Sequence, residues 1–397
     1  MIRIGDNRIS IIAVGFLIID ILQSFAFALS DNTFYLSSIG WSFNYIILLI
    51  SICTILFFSD KGTNRIDNSR KLLIISIILY WILTFIHSYG NLSILSALTP
   101  IVLIGFVITS DDILESSYIL FYWVFTCISA ISIVAYICYI TGLIRPFAVV
   151  PYYEEDSFSE YVSYIFTYIL QPIGLPRLCG LYNEPGMFGT IGALVLVAED
   201  MKINRWNIII LIACLLSLSV AFFSLVAAYY FFRAIAQRNI KIIVVLIAII
   251  GIIYYFSSVK ILDNDLSLFL ERFTIEDGAL KGDNRVKGSE GVWESVLNDD
   301  WKLLFGYGKY MADGQVTSYR RLIVNHGIIG TALFLIPLFV GIIKYGKKRP
   351  DVIILALVFL CSMYQRPEIY NMAYFVVLIG SIARKRREET SKLVIKS

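Results

Sequence analysis

Residues 207–232 read NIIILIACLLSLSVAFFSLVAAYYFF, an apolar run bounded by Lys202 and Arg205 before it and by Arg233, Arg238 and Lys241 after it. A membrane helix needs about 20 residues to cross roughly 30 Å of hydrocarbon, so the run is long for one crossing and short for two. Short basic connections stay in the cytoplasm. Both ends of the run therefore belong on one side, which two short half-helices turning near 217–219 achieve. A single tilted helix is the alternative, and it would leave the basic tail Arg384-Lys385-Arg386-Arg387 outside.

The rest of the chain has the same character. Hydrophobic residues make up 58% of 397 positions and charged residues only 16%, too apolar for a core wrapped in a wetted surface. Strands of a membrane barrel would alternate apolar and polar residues over about ten positions, and the runs here are unbroken. The expected fold is all-α, a polytopic membrane protein with about twelve transmembrane helices. The crossings are expected at 9–29, 41–58, 72–87, 92–108, 118–141, 186–198, the two halves of 207–232, 242–256, 322–343, 352–363 and 372–382. Residues 1–397 then form a single integral membrane domain, and 9–29, without a small-residue cleavage site after it, is a retained first helix.

Two external loops follow. Loop 142–185 holds the acidic triplet Glu154-Glu155-Asp156 and a tyrosine-rich apolar segment, 161–170, too short to cross and expected to be interfacial or re-entrant. Loop 257–321 is large and expected to act as a lid. Outside that long loop the external basic residues reduce to Arg145, Arg177 and Arg366, in keeping with the charge rule.

Little transition-metal chemistry is on offer. Cys53, Cys127, Cys138, Cys214 and Cys361 lie inside apolar runs as small hydrophobes, and Cys179 stands apart from them. Two histidines, His87 and His326, and no Cys-x-x-Cys pair argue against a metal site, and no cofactor is expected. A solvated charge run explains the acidic triplet better than a divalent cation does. No P-loop is present, and no nucleic-acid partner is expected.

Polar chemistry concentrates at 177–189, Arg-Leu-Cys-Gly-Leu-Tyr-Asn-Glu-Pro-Gly-Met-Phe-Gly. Glycine and proline break the chain around Arg177 and Glu184, and Pro185 suits the first turn of a helix. An arginine beside a helix N-terminus makes an anion site, and a guanidinium binds phosphate in a bidentate way. Ion pairing or anionic lipid would explain an external arginine equally well. Glu184 is a candidate base, but an acidic residue at a helix start after a capping Asn183 has a sufficient local explanation. Further along, Arg285 lies in a charged turn, and Trp293 and Trp301 flank an acidic segment, where rings stack on sugar faces or anchor at an interface. Leu304-Phe305-Gly306-Tyr307-Gly308 carries a Gly-x-Gly break. Arg320-Arg321 leads to Asn325-His326-Gly327-Ile328-Ile329-Gly330 at a helix entrance, where His326 is either an acid–base group or a packing residue.

These residues resemble a family, the bacterial O-antigen and capsule repeat-unit polymerases of the Wzy type, related to the O-antigen ligases. The resemblance rests on Arg177-x-x-Gly180-x-x-x-Glu184-Pro185, the Ser217-Leu218-Ser219 turn, and then, in order, Arg285, Trp293, Phe305-Gly306-Tyr307-Gly308 and Gly327-Ile328-Ile329-Gly330. It covers about the C-terminal two thirds of the chain. Relatives often have Arg-Gly where Val220-Ala221 stands here. The ligase-like His-Asn pair is replaced by Asp313-Gly314-Gln315, which favours polymerase over ligase.

The resemblance implies a C-type membrane glycosyltransferase, metal-independent and inverting, in the bacterial cytoplasmic membrane with its site facing outward. The donor would be a glycan on undecaprenyl pyrophosphate and the acceptor a hydroxyl of the next lipid-linked repeat unit. Membrane lipids and a chain-length regulator protein are the other partners implied. Arg177, with Arg285 or Arg320-Arg321, would stabilise the pyrophosphate; Glu184 or His326 would serve as base; Gly180, Tyr182, Trp293 and Tyr307 would line the substrate. A ligase is the nearest alternative. A lipid-linked glycan flippase is another, though it would need charge along the middle of several helices.

Overall fold

A computed structural model describes residues 14–15, 49–54, 67–88, 94–154, 157–164, 167–171, 175–182, 184–239, 241–242, 244, 275–276, 279–280, 290–307, 316, 318–367 and 369–396. The expected crossings 9–29, 41–58 and 242–256 lie wholly or largely outside these residues. So do Asn183, Glu155, Asp156, Arg285, Gly308 and the Asp313-Gly314-Gln315 stretch.

The described residues are mostly helical. Helices α1 (Asn68–His87), α2 (Ile94–Ile108) and α3 (Asp111–Thr141) come first, followed by strands β1 (Ala148–Glu154), β2 (Ser157–Tyr164), β3 (Thr167–Gln171) and β4 (Arg177–Gly180). Next are α4 (Pro185–Ala198), α5 (Arg205–Leu216) and α6 (Val220–Ala236), then the two-residue strands β5 (Ile275–Glu276) and β6 (Ala279–Leu280). The chain ends with α7 (Glu290–Leu297), α8 (Asp300–Phe305), α9 (Arg320–Tyr345), α10 (Pro350–Gln365), α11 (Met372–Phe375) and α12 (Ser381–Lys396), the last two joined by the π-helical turn Val376–Gly380. Among the described residues α1, α3 and α9 are long and apolar enough to cross a membrane, which makes this a helical protein of the membrane class.

The chain divides into two compact units, one drawn from Met1–Ile21, Trp41–Phe121 and Arg285–Ser397, the other from Leu22–Gly40 and Tyr122–Asn284. In the first unit α1 and α9 run antiparallel along their whole lengths. A Cβ on Gly341 would meet Leu73 and the Ser69 carbonyl, the Ser76 hydroxyl donates to the Phe334 carbonyl at 2.7 Å, Leu83 lies beside Gly330, and His87 meets His326. As the number rises on one helix it falls on the other.

One end of that pair is charged. Asp67 caps α1 by accepting from the Arg70 amide at 2.8 Å. Arg70, only 6% exposed, turns back to donate to the carbonyls of Val107, Ile108 and Thr109 at the end of α2 and pairs with Asp111. A cation there complements the negative end of the helix dipole. Tyr345 donates to Asp111 at 2.6 Å, Arg386 lies 4.4 Å over the Tyr345 ring, and Arg387 pairs with Asp112 and Glu115. The basic tail is thus a helix bound to the acidic start of α3, which extends seven residues before the expected 118–141 span.

In the second unit α4 is the centre. Of its residues all but Gly186 are buried, as expected of a helix apolar on every side. Pro185 at its first turn and extended backbone at Glu184 start it. Left-handed Asp200 and Met201 close the turn after it, and Asn204 caps α5 by accepting from the amides of Trp206 and Asn207, both at 2.9 Å. Glycine sets how closely the next helices approach: a Cβ on Gly192 would sit 2.2 Å from the Cys214 sulfur, and one on Gly189 would sit 2.6 Å from Ser219 Cβ.

The run 207–232 is broken where its charge pattern requires. Ser217 ends α5, Leu218 takes a φ of +46°, and Ser219 caps α6 through the Phe222 amide. Both far ends return to the same turn: the Asp200 carbonyl accepts from Tyr229 and Arg233 of α6, while Asn207 of α5 donates to the Lys202 carbonyl. The half-helices are 12 and 17 residues long, about 18 and 26 Å at 1.5 Å per residue.

Loop 142–185 carries strands that the sequence did not signal. Residues 161–164 and 167–170 belong to β2 and β3 of a four-stranded antiparallel meander, order β1-β2-β3-β4. Tyr161 and Tyr168 are 5% and 6% exposed and pack on Cys179. Aromatic and β-branched residues favour a pleated, half-buried surface, and here the neighbouring strand supplies that surface. Arg177, expected in a turn, begins the last strand.

Candidate functional site

The polar residues singled out in the sequence fall into two groups, one in each unit. In the second unit strand β4 carries Arg177 to the tip of the α5–α6 hairpin. Its Nε donates to the Ser217 carbonyl and one Nη to the Leu218 carbonyl, both at 3.3 Å. These are the carbonyls of the C-cap and of the turn residue just past α5, which have no place in the ladder of that helix. The guanidinium therefore neutralises the negative end of α5 and holds the left-handed Leu218 in place, a conformation that costs on the order of 1–3 kcal/mol. Two fixed bonds also fix the plane of the guanidinium, so its charge is preorganised beside the capped N-terminus of α6.

Directly after Arg177 the chain enters the core. Gly180 has a φ of +60°, and a Cβ there would come within 2.7 Å of the Phe188 ring; only glycine combines that conformation with that approach. Tyr182 is fully buried, with Phe125 and Phe188 forming a ring cluster whose centroids lie 5.3–6.4 Å apart. Gly180 and Tyr182, expected to line substrate, thus lie inside the packing that positions Arg177. Glu184 is the N-cap of α4 and makes no side-chain capping bond; its carboxylate sits at the positive end of the helix dipole, which is a sufficient local explanation. Cys179, fully buried on β4, has its thiol pushed up to about 12, first by burial, against the lowering effect of Arg177.

The first unit holds the other group. Arg320 lies 5.2 Å over the Trp293 ring, and Trp293 meets Tyr319 edge-on at 6.0 Å. Trp301 is 69% exposed and packs on Phe305 at 4.5 Å, while Lys302 lies 5.1 Å over Tyr307. Arg366, one of the basic residues expected outside, is buried at the end of α10.

Gly327 does not open α9 but breaks it. With a φ of +66° it separates 320–326 from the long apolar part, and a Cβ there would lie 2.2 Å from the Leu304 carbonyl oxygen. Gly306 answers it: a Cβ on Gly306 would lie 2.6 Å from the Asn325 carbonyl oxygen. The end of α8 thus docks backbone to backbone on the break, secured by the Tyr307 amide donating to the Val324 carbonyl at 2.7 Å. His326, one residue before the break, is 2% exposed, and its Nδ1 lies 3.3 Å from Nδ1 of His87. Sequence reasoning gave His87 no role. Its only signal there was that the chain has two histidines.

The fold and these sites define a helical membrane-class protein with a buried helix, a broken hairpin and arginine at the hairpin tip. No protein-family model, curated protein or solved structure matches the chain.

Proposed function

We propose that the chain is a membrane glycosyltransferase that polymerises undecaprenyl-pyrophosphate-linked oligosaccharide repeat units at the outer face of the cytoplasmic membrane. The observation that carries this reading is Arg177 held by two carbonyls at the tip of the α5–α6 hairpin. Lys202, Arg205, Arg233, Arg238 and Lys241 gather at the hairpin's other end, which the charge rule assigns to the cytoplasm. The tip is then the outward end, and a fold of about twelve crossings of the C-type glycosyltransferase kind accommodates it.

The chemistry asks two things of the protein. Pyrophosphate must leave with its electrons, and a fixed guanidinium beside a helix N-terminus favours the charge that develops on it. An acceptor hydroxyl must lose its proton as it attacks, which calls for a base. Glu184, in the same unit as Arg177, is the candidate for that second task.

The deciding experiment incubates purified protein with lipid-linked repeat units and sizes the glycan. Growth beyond one unit is expected; no growth argues against polymerisation, and transfer to lipid A core argues for a ligase. Arg177→Ala is expected to yield only single units. Since Arg177 also holds the hairpin tip, thermal unfolding of the variant must accompany the assay. A folded variant with a normal chain-length ladder removes Arg177 from the site.

A further inference from the structure

We propose that α8 is set into the boundary layer of the membrane, its exposed side in lipid, so that this part of the long loop is anchored and not a lid free to swing. Every element concerned belongs to the first unit. What is required is that α9 cross a membrane; the polymerase reading is not.

The short pair α7 and α8 has two unlike sides. Inward, Val292, Val296 and Leu303 pack on a small core with Val316 and Val324, and Trp293 is turned to Arg320 and Tyr319. Outward, Trp301, Leu304 and Phe305 are exposed, at the i, i+3 and i+4 spacing that puts them on one helix face. Trp301 packs on Phe305 at 4.5 Å, so the two rings are contiguous. Leu297 at the end of α7 and Tyr307 just past α8 are exposed as well. Apolar side chains scattered singly over a surface need no explanation, but a contiguous face of them does.

Depth says what covers that face. The unbroken part of α9 runs from Ile328 to Tyr345, about 27 Å at 1.5 Å per residue, close to the roughly 30 Å of hydrocarbon. Tyr345 marks one edge, since it donates to Asp111 between the charges of Arg70 and Arg386. Gly327 therefore lies near the other edge, and α8 is held at that level by its backbone contact with Gly327. The lipid-facing side of α9 starts at the same point. Gly327 touches the backbone of Leu304 and Phe305 and is followed directly by exposed Ile328 and Ile329. From Ile329 the exposures continue through Leu333, Ile336 and Val340, the helical stripe that a crossing helix offers to acyl chains.

The side chains suit that layer. Tryptophan and tyrosine concentrate where hydrocarbon meets headgroups, and Lys302, over the Tyr307 ring and paired with Asp299, keeps its charge out of the apolar face. Residues 290–307 carry Glu290, Glu294, Asp299 and Asp300 against Lys302, so the attraction is apolar and needs no anionic lipid. The two tryptophans therefore separate: Trp293 belongs to the protein interior and Trp301 to lipid.

The test uses the full chain in phosphatidylcholine vesicles, in a background lacking the native thiols, with bimane on a single cysteine at one of three positions. On Trp301→Cys or Leu304→Cys the dye should be quenched by phosphatidylcholine carrying a doxyl group near the headgroup end of its acyl chain, and shielded from iodide in the water. On Glu294→Cys the two quenchers should exchange effects. Adding phosphatidylglycerol should change nothing; doxyl quenching that appears only with the anionic lipid overturns the apolar anchor. Equal iodide quenching at all three positions places the face in water and overturns the proposal. Shielding from both quenchers at Trp301→Cys and Leu304→Cys overturns it too, because a second copy or another protein then covers the face. A measurement without dye uses the native thiols and native rings: Trp301→Phe should remove part of the doxyl-quenched tryptophan fluorescence, and Trp293→Phe should leave that part unchanged. The reverse result would assign the wrong tryptophan to lipid.

Discussion

Arg177 and Arg70 share a device that explains two basic residues in an apolar chain. Each lays its guanidinium on carbonyls where a helix ends, Arg177 on those of Ser217 and Leu218 just past α5 and Arg70 on the last of α2 and the residue after it. Lysine, with a point charge in place of a planar fork, satisfies such a set less well. Between Arg177 and the ring cluster lies Cys179, whose burial makes a separate prediction. Its thiol is raised from an ordinary 9.0 to about 12, so it stays neutral and unreactive at pH 8; maleimide should label it only after denaturation. The raised value also sets a stability window. The neutral thiol costs nothing below pH 9, and stability should fall as pH climbs from 9 towards 12, where the unfolded chain ionises and the folded one does not. Melting temperatures from pH 7 to 10.5 should fall less steeply for Cys179→Ala than for the native protein; identical slopes would contradict the burial argument. Asp67 works in the opposite direction. Burial opposes its charge, but the Ser69 hydroxyl, the Arg70 amide, Arg386 and Arg70 outweigh it and hold the carboxyl below 3.8. Its contribution is therefore complete above pH 3.8 and disappears as pH falls through the lower folded value. Asp67→Ala should cost about 1 kcal/mol at pH 7 in thermal unfolding.

Among the elements, α4 shows most directly how the hairpin is held. Helices approach closely where a glycine faces a side chain, and Gly192 faces Cys214 while Gly189 faces Ser219. Gly192→Ala must push α5 away, a change of about 1–3 kcal/mol for overpacking. Replacing Cys214 by alanine removes the sulfur in question, so the double variant should recover part of the loss in a double-mutant cycle; strict additivity would show that the two positions do not touch in solution. The helices were legible because apolar runs, Pro185 at a helix start and serines at 217–219 act locally. Strands β1–β4 were not, because their stability comes from pairing across the meander, and a segment such as 161–170 has the composition of an interfacial stretch until its neighbours are placed. The Gly306–Gly327 contact was hidden for a related reason. Each glycine signalled a break in its own segment, and nothing local said that the two breaks fit each other. His87 and His326 likewise carry no sequence signal of meeting, since their contact depends on the antiparallel register of α1 and α9.

Across the second unit the helices alternate in direction, and this turns a charge argument into a geometric one. Tyr122 of α3 donates to Asn207 near the Asp200 turn, whereas Tyr136, four helical turns on, donates to the Pro176 carbonyl beside Arg177. The second half of α3 therefore runs from the Asp200 end to the Arg177 end. Helix α4 returns, α5 follows α3, and α6 returns again. The basic residues at both ends of 207–232 lie at the Asp200 end, and exposed Arg145 lies beyond the Arg177 end of α3. Single cysteines at Lys202, Gln237 and Arg145, in a background lacking the native thiols, convert this into a test in intact cells. A membrane-impermeant maleimide should label Arg145→Cys and should leave Lys202→Cys and Gln237→Cys untouched until the membrane is opened. If Gln237→Cys labels from outside while Lys202→Cys does not, then 207–232 crosses once, the tip at 217–219 lies within the bilayer, and Arg177 loses the outward position that the polymerase reading requires.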